Sequence, residues 1–472
     1  MWQRARQAEL NHRYMLFYLI ISALAFLVLV WHSRAVGLSL GLPIAYLFSL
    51  LLQHLPGGLA HLVGGRFFDD SSATEIGLRL TTIGTLCFVV GVVLAQRIKR
   101  KPLVHDDPRW VQRLSTRRFA LFCLYCGWLV AMVASILSKI PSIGSAIGQA
   151  GSTWILGVLI GMLAAVRKQD LRLILLWLGA LSIYPLIVLI GGGFLSFGTT
   201  SVFVVMAALC VMVRSQVRAY VGVVLFSLLC FLAFMSYFQN RNAIRKATWG
   251  GESLQERMLQ SSKIITEIAW FNPSNPGQLD ALDQRLNQNL FVGEAVKKLA
   301  ARRVDFLHGR SVWEGIQALV PRILWPGKPI FAGTSAFIRK FTYVDVNENT
   351  SFGVGQVMEF FINFAQTGVV VGFLVFGFAY GWVDRMAATA LRSHNYGQAI
   401  IWFLPAIGML APLASVAEVM GSIAAALVGA YAWRYAWRIK EARNRTAVRP
   451  RRHKAARADT VGRDRPAVDF EF

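Results

Sequence analysis

Eleven apolar stretches, each close to the length that crosses a bilayer, recur from end to end of this chain, and one long polar segment interrupts them. About 17–25 consecutive apolar residues in lipid have no partner for their backbone amides except one another, so each stretch is expected to form a membrane-crossing helix. They run over 16–31, 42–55, 76–95, 119–137, 153–166, 173–190, 202–213, 219–238, 369–383, 399–413 and 416–433. The fold class this predicts is all-α: a polytopic integral membrane protein with about 11–12 transmembrane helices and one large external, mostly helical loop. Composition agrees, because 16% of the 472 residues are charged and 55% are hydrophobic, against about 25% charged in a soluble protein.

Net charge is +24. In a soluble protein that would raise nucleic acid as a partner. Here the cations cluster at the ends of apolar runs and in the C-terminal tail, as the bias of Lys and Arg toward the cytoplasm requires, so no nucleic-acid partner is expected. Arg97, Lys99, Arg100 and Lys101, followed by Arg109, Arg113, Arg117 and Arg118, form the densest short basic connection. It and the basic connections 167–172 and 214–218 are predicted inside, and the Gly/Ser-rich connections 139–152 and 191–200 outside. The same alternation places the polar insertion outside. The domains predicted are 1–238, an N-terminal transmembrane bundle; 239–352, a large periplasmic loop; 353–433, C-terminal transmembrane helices; and 434–472, a basic cytoplasmic tail whose Pro, Arg and Ala content predicts disorder. The basic flank of the first run and Ser33-Arg34-Ala35 after it resemble a signal peptide, but another span follows almost at once, so it reads as a retained helix. Eleven spans with the tail inside place the N-terminus outside, whereas Arg4, Arg6 and Arg13 favour the inside. Either the N-terminus is translocated, or a further span or re-entrant segment lies between Gly37 and Glu75.

All five cysteines fall in apolar runs, and the Cys123-x-x-Cys126 pair has no His or further Cys beside it, so they read as packing residues. No Gly-rich phosphate loop, extramembrane Asp-x-Asp or metal-ligand spacing occurs, so neither metal nor cofactor is expected.

Within the insertion the segment 320–329 combines three prolines and a glycine with Arg322, Trp325 and Lys328. Such backbone is rigid without helix or strand. Arg322 offers a planar fork of donors to an anion, Lys328 a point charge and Trp325 a flat apolar plate. The plainer alternative is a structural turn with its cations in water. Arg241, Arg245 and Lys246 follow directly on the eighth span, and Arg302 and Arg303 end an amphipathic helical stretch over 279–304. Together these cations would make a phosphate-binding shell where a lipid-linked diphosphate presents its charge; singly, each would serve equally well to bind lipid headgroups. Beyond the insertion, Glu359 and Asn363 stand four apart and share a helix face. A carboxylate near membrane depth needs a task or a partner. Glu359 is either a general base for a sugar hydroxyl or the partner of a loop arginine; Glu418 has the same ambiguity, and His308 reads as a surface residue.

The sequences Pro321-Arg322-Ile323-Leu324-Trp325-Pro326-Gly327-Lys328-Pro329 and Gly353-Val354-Gly355-Gln356-Val357-Met358-Glu359-Phe360-Phe361-Ile362-Asn363-Phe364, with Gly368-Val369 after them, resemble the oligosaccharide repeat-unit polymerases, the O-antigen-polymerase type of bacterial inner-membrane protein. The early run Gly41-Leu42-Pro43-Ile44-Ala45-Tyr46-Leu47, with His54, Pro56 and Gly57, is also similar. Phe361 and Ala365 stand where such proteins often carry Tyr and Gly. The resemblance implies glycosyl transfer between polyprenyl-diphosphate-linked oligosaccharides at the periplasmic face, making an O-antigen or exopolysaccharide, with membrane lipids, a chain-length regulator and a flippase as partners. On that reading Arg322 and Glu359 are catalytic, and Arg241, Arg245, Arg302, Arg303, Trp325, Lys328 and Asn363 bind diphosphate or glycan. A ligase using the same donor shares all of this and differs in acceptor. A flippase for lipid-linked sugars would instead show ionisable residues along a path through the spans and internal repeats, and the sequence shows neither.

Overall fold

The structure, a computed structural model, describes residues 2–63, 71–98, 109–137, 143–193, 196–213, 215–320, 324–329, 334–344 and 353–461. Every regular element among them is a helix. The first half contains α1 (Trp2–Val36), α2 (Leu42–Val63), α3 (Ser71–Arg97), α4 (Arg109–Leu137), α5 (Ile143–Gly151), α6 (Thr153–Lys168), α7 (Leu171–Gly192), α8 (Ser196–Met212) and α9 (Gln216–Trp249). The insertion contributes α10 (Leu254–Thr266), α11 (Pro276–Arg285), α12 (Gln288–Ala300), α13 (Arg310–Ala318) and α14 (Thr334–Phe341), and α15 (Gly355–Arg392), α16 (Tyr396–Met409) and α17 (Val416–Val461) complete the chain. Nine of the described helices, with α5 and α6 taken together over Ser145–Lys168, are long and apolar enough to cross a membrane, and Gly198–Met212 in α8 and α16 are shorter apolar helices. The chain is thus all-helical and has the make-up of a polytopic membrane protein. Helix continues through Val461, over much of the tail that composition predicted to be disordered; Ala, Arg, Lys and Glu are good helix formers.

The bundle is built around α3 and α15. A Cβ on Gly91 would fall on the carbonyl of Leu374, and one on Gly377 on that of Phe88, so the two backbones touch where side chains are absent. Small residues give membrane helices this close approach. Tyr46 fills the space beside the crossing, its ring 4.9 Å from Phe88 and 4.8 Å from Tyr380.

Hydrogen bonds between elements fix which ends lie together. At one end, Arg34 at the foot of α1 donates to the carbonyls of Cys210 in α8 and of Val213 just after it, Arg392 of α15 donates to Gly37, and Asp384 Oδ1 accepts from Leu40 and Leu42 at the start of α2. At the other end the insertion packs down: His61 of α2 pairs with Asp283 of α11 at 2.9 Å, and α12 lies across α3, where the carbonyl of Asn289 approaches Gly77. The helix α1 runs unbroken between the two ends, so its N-terminus stands at the insertion end. Residues 37–63 hold a short turn and α2 with no further span; of the segment in which an extra one was considered, 64–70 lie outside the described residues. The single amphipathic helix expected over 279–304 is broken at Leu286–Asn287, where the Asn287 amide turns back to Asp283 and to Thr74 of α3.

Candidate functional site

Two constellations stand at the insertion end. The first grows from a break in α15, where Phe364 and Ala365 leave helical geometry, Ala365 with φ 55° and ψ −148°. A broken helix exposes backbone groups that need partners. The turn between α12 and α13 supplies them: Leu307 N donates to Ile362 O at 2.9 Å, and Gly309 N donates to Asn363 Oδ1 at 3.0 Å. Asn363 Nδ2 donates to Glu359 O and to Ser311 Oγ of α13, both at 2.7 Å. Glu359 lies beneath, with 0% of its surface exposed. Its Oε2 accepts from Val416 N at 2.6 Å, in the first turn of α17. That helix start is itself capped by a reciprocal pair, Glu418 N to Ser415 Oγ at 3.2 Å and Ser415 N to Glu418 Oε2 at 2.7 Å. Among the described residues it is thus the positive end of α17 that meets the Glu359 carboxylate; Arg322, a loop arginine weighed as its partner, lies outside the described residues. Glu359 Oε1 is buried with no hydrogen-bond partner of good geometry among the described residues, although Ser311 stands beside the carboxylate.

The second constellation is cationic. Asn275 caps α11 by accepting from Gly277 N at 3.0 Å, with Pro276 in its first turn. Leu279, Leu282 and Leu286 then pack against Ala60 of α2 and Met235 of α9. That seating turns Arg285 toward α9, where Arg241 and Arg245 lie one helical turn apart. All three are half-buried. Among the described residues, the groups acting electrostatically on Arg241 and Arg285 are the other arginines and Tyr237, with no carboxylate among them. Burial, and then the Arg245 cation, push Arg285 below the ordinary arginine range, against the opposing pull of Tyr237. Tyr237 Oη donates to Gly193 O at 2.8 Å and Trp249 Nε1 to Gly192 O at 3.3 Å, which fastens the end of α7 to α9. The Arg245 guanidinium stands 5.0 Å from the Trp249 ring centre and that of Arg241 stands 5.9 Å from Phe238. Like charges brought together and partly desolvated favour an anion between them.

Of the residues marked in the sequence, Glu359 and Asn363 are brought together, as are Arg241 and Arg245. Arg302 and Arg303 are exposed on the turn after α12, and no hydrogen bond among the described residues joins them to the arginine group. Lys328 Nζ donates to Ala318 O and Val320 O, both at 3.0 Å, so it caps the end of α13. Trp325 stands partly exposed beside it; Arg322 lies outside the described residues. His308 is exposed in left-handed backbone. Arg285, Ser311 and the α17 terminus escaped sequence reasoning. Only the last had a local signal, Ser415-x-x-Glu418. Among the described residues no group of three His, Cys, Asp or Glu is placed to hold a metal ion.

The helices and these two constellations describe a polytopic helical membrane protein with a cationic group and a buried carboxylate at one end. Residues 68–405 match a domain of unknown function, DUF8712, and the chain belongs to that family. The match covers α3 through most of α16, so the arginine group, Glu359, Asn363 and Ser311 fall inside it, while the α17 start that meets Glu359 lies beyond it. No curated protein and no solved structure matches the chain.

Proposed function

We propose that the chain is a bacterial inner-membrane polymerase that joins polyprenyl-diphosphate-linked oligosaccharide repeat units into a surface polysaccharide, with the insertion in the periplasm and the C-terminus in the cytoplasm. The observation that carries this reading is the convergence of Arg241, Arg245 and Arg285 at the ends of α7 and α9. Both helices expose long apolar faces, Leu171, Leu175 and Leu176 on one, Val224, Leu225 and Leu228 on the other. An anion held there is one whose apolar tail lies along the helices in the bilayer.

In the transfer, the bond from the anomeric carbon of the growing glycan to the diphosphate oxygen breaks. A bond to the hydroxyl oxygen of the incoming unit forms, and the hydroxyl proton leaves to a base. The arginines bind the diphosphate and stabilise the charge it gains as it departs. The resemblance read from the sequence assigns Arg322 as a further guanidinium, and Trp325 as a face for the sugar. Glu359 Oε1 is the proton acceptor. Lys328 and Asn363 serve by holding the turn and the break in α15, since the bonds described above occupy them within the protein.

The test is the purified protein in liposomes with a synthetic polyprenyl-diphosphate oligosaccharide, followed for glycan length and released lipid diphosphate. Ladders are expected from the unaltered chain, with transfer falling about 100-fold in Arg285→Ala and in Arg241→Ala, the scale on which one charge-stabilising donor acts. Undiminished ladders in both variants would overturn the assignment. Movement of the lipid between leaflets without transfer would make the chain a flippase.

A further inference from the structure

Two apolar slots of the same design each have an arginine in their lining at the end of the bundle away from the insertion. One, of about 220 Å³, is walled by Phe26, Phe48, Phe203 and Phe226 from α1, α2, α8 and α9, and has Gly222 in its lining and Arg218 at its rim. The other, of about 500 Å³, lies among α15, α16 and α17, walled by residues such as Trp402 and Met420, with Arg434 at its rim. Neither slot has a carboxylate among its described lining residues. Arg34, near the first slot, is turned to the last carbonyls of α8, whereas no side-chain hydrogen bond among the described residues engages Arg218. Close-packed protein tolerates few voids of this size, and an apolar one stays dry and takes an apolar guest.

We propose that each slot holds an acyl chain of an anionic phospholipid of that leaflet, with Arg218 or Arg434 meeting its phosphate. Three observations fix the occupant. The lining is apolar, so a soluble polar ligand gains nothing by entering. The slots lie between helices of membrane-crossing character, where hydrocarbon chains are the surrounding medium. Each carries an arginine at the same end of the bundle, where one leaflet's headgroups stand, with no acid among the described lining residues to oppose an anion. This inference uses none of the residues of the proposed transfer chemistry and stands or falls independently of it.

A Cβ at Gly222 meets nothing within 4 Å, so Gly222→Phe fills the first slot without a backbone clash, and Gly222→Leu is the milder form. Native mass spectrometry of the full chain from bicelles of phosphatidylglycerol and phosphatidylcholine reads occupancy directly. The unaltered protein is expected to retain two phosphatidylglycerols, preferred over phosphatidylcholine by about fivefold for each arginine. Gly222→Phe, with an unchanged helical spectrum, retains one. Arg218→Gln with Arg434→Gln keeps two lipids and loses the preference. Equal retention of both lipids by the unaltered chain, or two lipids still held by both folded Gly222 variants, would overturn the proposal. So would thermal stabilisation by decane equal to that by phosphatidylglycerol, since then only the void is being filled.

Discussion

Glu359 has two oxygens with unequal roles: Oε2 receives the Val416 amide, while Oε1 is buried beside Ser311 with no hydrogen bond of good geometry among the described residues. A glutamine there can still accept from Val416 but cannot take a proton. Glu359→Gln is therefore expected to melt within a few degrees of the unaltered protein yet lose glycan transfer, whereas Glu359→Ala should also lose about 1–3 kcal/mol by leaving the buried amide unpaired. Full transfer by the glutamine variant would reduce the residue to a helix anchor. Ala365, two residues on from Asn363, holds φ 55°, ψ −148°, a conformation that glycine adopts freely and a Cβ resists. Ala365→Gly should raise stability by about 1 kcal/mol, read as a higher thermal midpoint in detergent, and Ala365→Val should lower it. At this scale the sequence was informative where spacing governs. Glu359 and Asn363 share a face because they are four apart on one helix. Arg285 was not legible, because a single arginine forty residues from Arg245 acquires meaning only when α11 folds back onto α9.

Helix ends in this chain are satisfied from near and far, and the two cases differ in what a sequence reveals. The start of α17 carries its own cap in Ser415 and Glu418, a local pattern open to reading. The start of α2 borrows its cap: Asp384 Oδ1 accepts from Leu40 N at 3.0 Å and Leu42 N at 3.1 Å, across 344 and 342 residues of chain. No local rule anticipates that, since the pairing exists only after α15 has packed beside α2. A carboxylate at a helix N-terminus gains from the hydrogen bonds and from the dipole alike. Asp384→Ala is expected to lose about 2–3 kcal/mol and Asp384→Asn, which keeps an acceptor and gives up the charge, about 1 kcal/mol. Thermal unfolding followed by circular dichroism in detergent compares them, and an alanine variant as stable as the asparagine one would refute the borrowed cap. The break in α15 belongs to the same class. The carbonyl freed at Ile362 finds its donor, Leu307 N, only because the turn after α12 reaches it, whereas that of Glu359 is met within α15 by the Asn363 side chain.

Across the whole molecule, apolar periodicity placed the spans because lipid imposes it residue by residue, while nothing in it says how a polar insertion sits on the bundle. That seating is made by close backbone approach and buried polar bonds together. His54 Nδ1 and Asn289 Oδ1 lie 2.8 Å apart, Asn289 Nδ2 donates to His54 O at 2.7 Å, and Thr81 donates to Asn289 Oδ1 at 3.0 Å, all deep between α2, α3 and α12. These bonds form only because Gly77 and Gly293 let α3 and α12 touch; a Cβ on either would fall on the carbonyl of Asn289 or of Ala73. The arginine group depends on the same docking, since α11 and α12 are joined by the short turn at Leu286–Asn287 and Gly57 N donates to Leu286 O at 3.0 Å. Gly77→Val should therefore separate the insertion from the bundle while the apolar helices stay folded in the membrane. Brief trypsin treatment of proteoliposomes is the measurement. The variant is expected to be cut at Arg285 and Lys297 at least tenfold faster than the unaltered protein, with its overall helical content little changed, because opening of a docked unit tracks its local stability and each 1.4 kcal/mol is tenfold. Serine at position 77, smaller than valine by its branching alone, still carries a Cβ and should fall between the two. Equal cutting of all three would mean that the insertion is held by something other than the α3–α12 crossing.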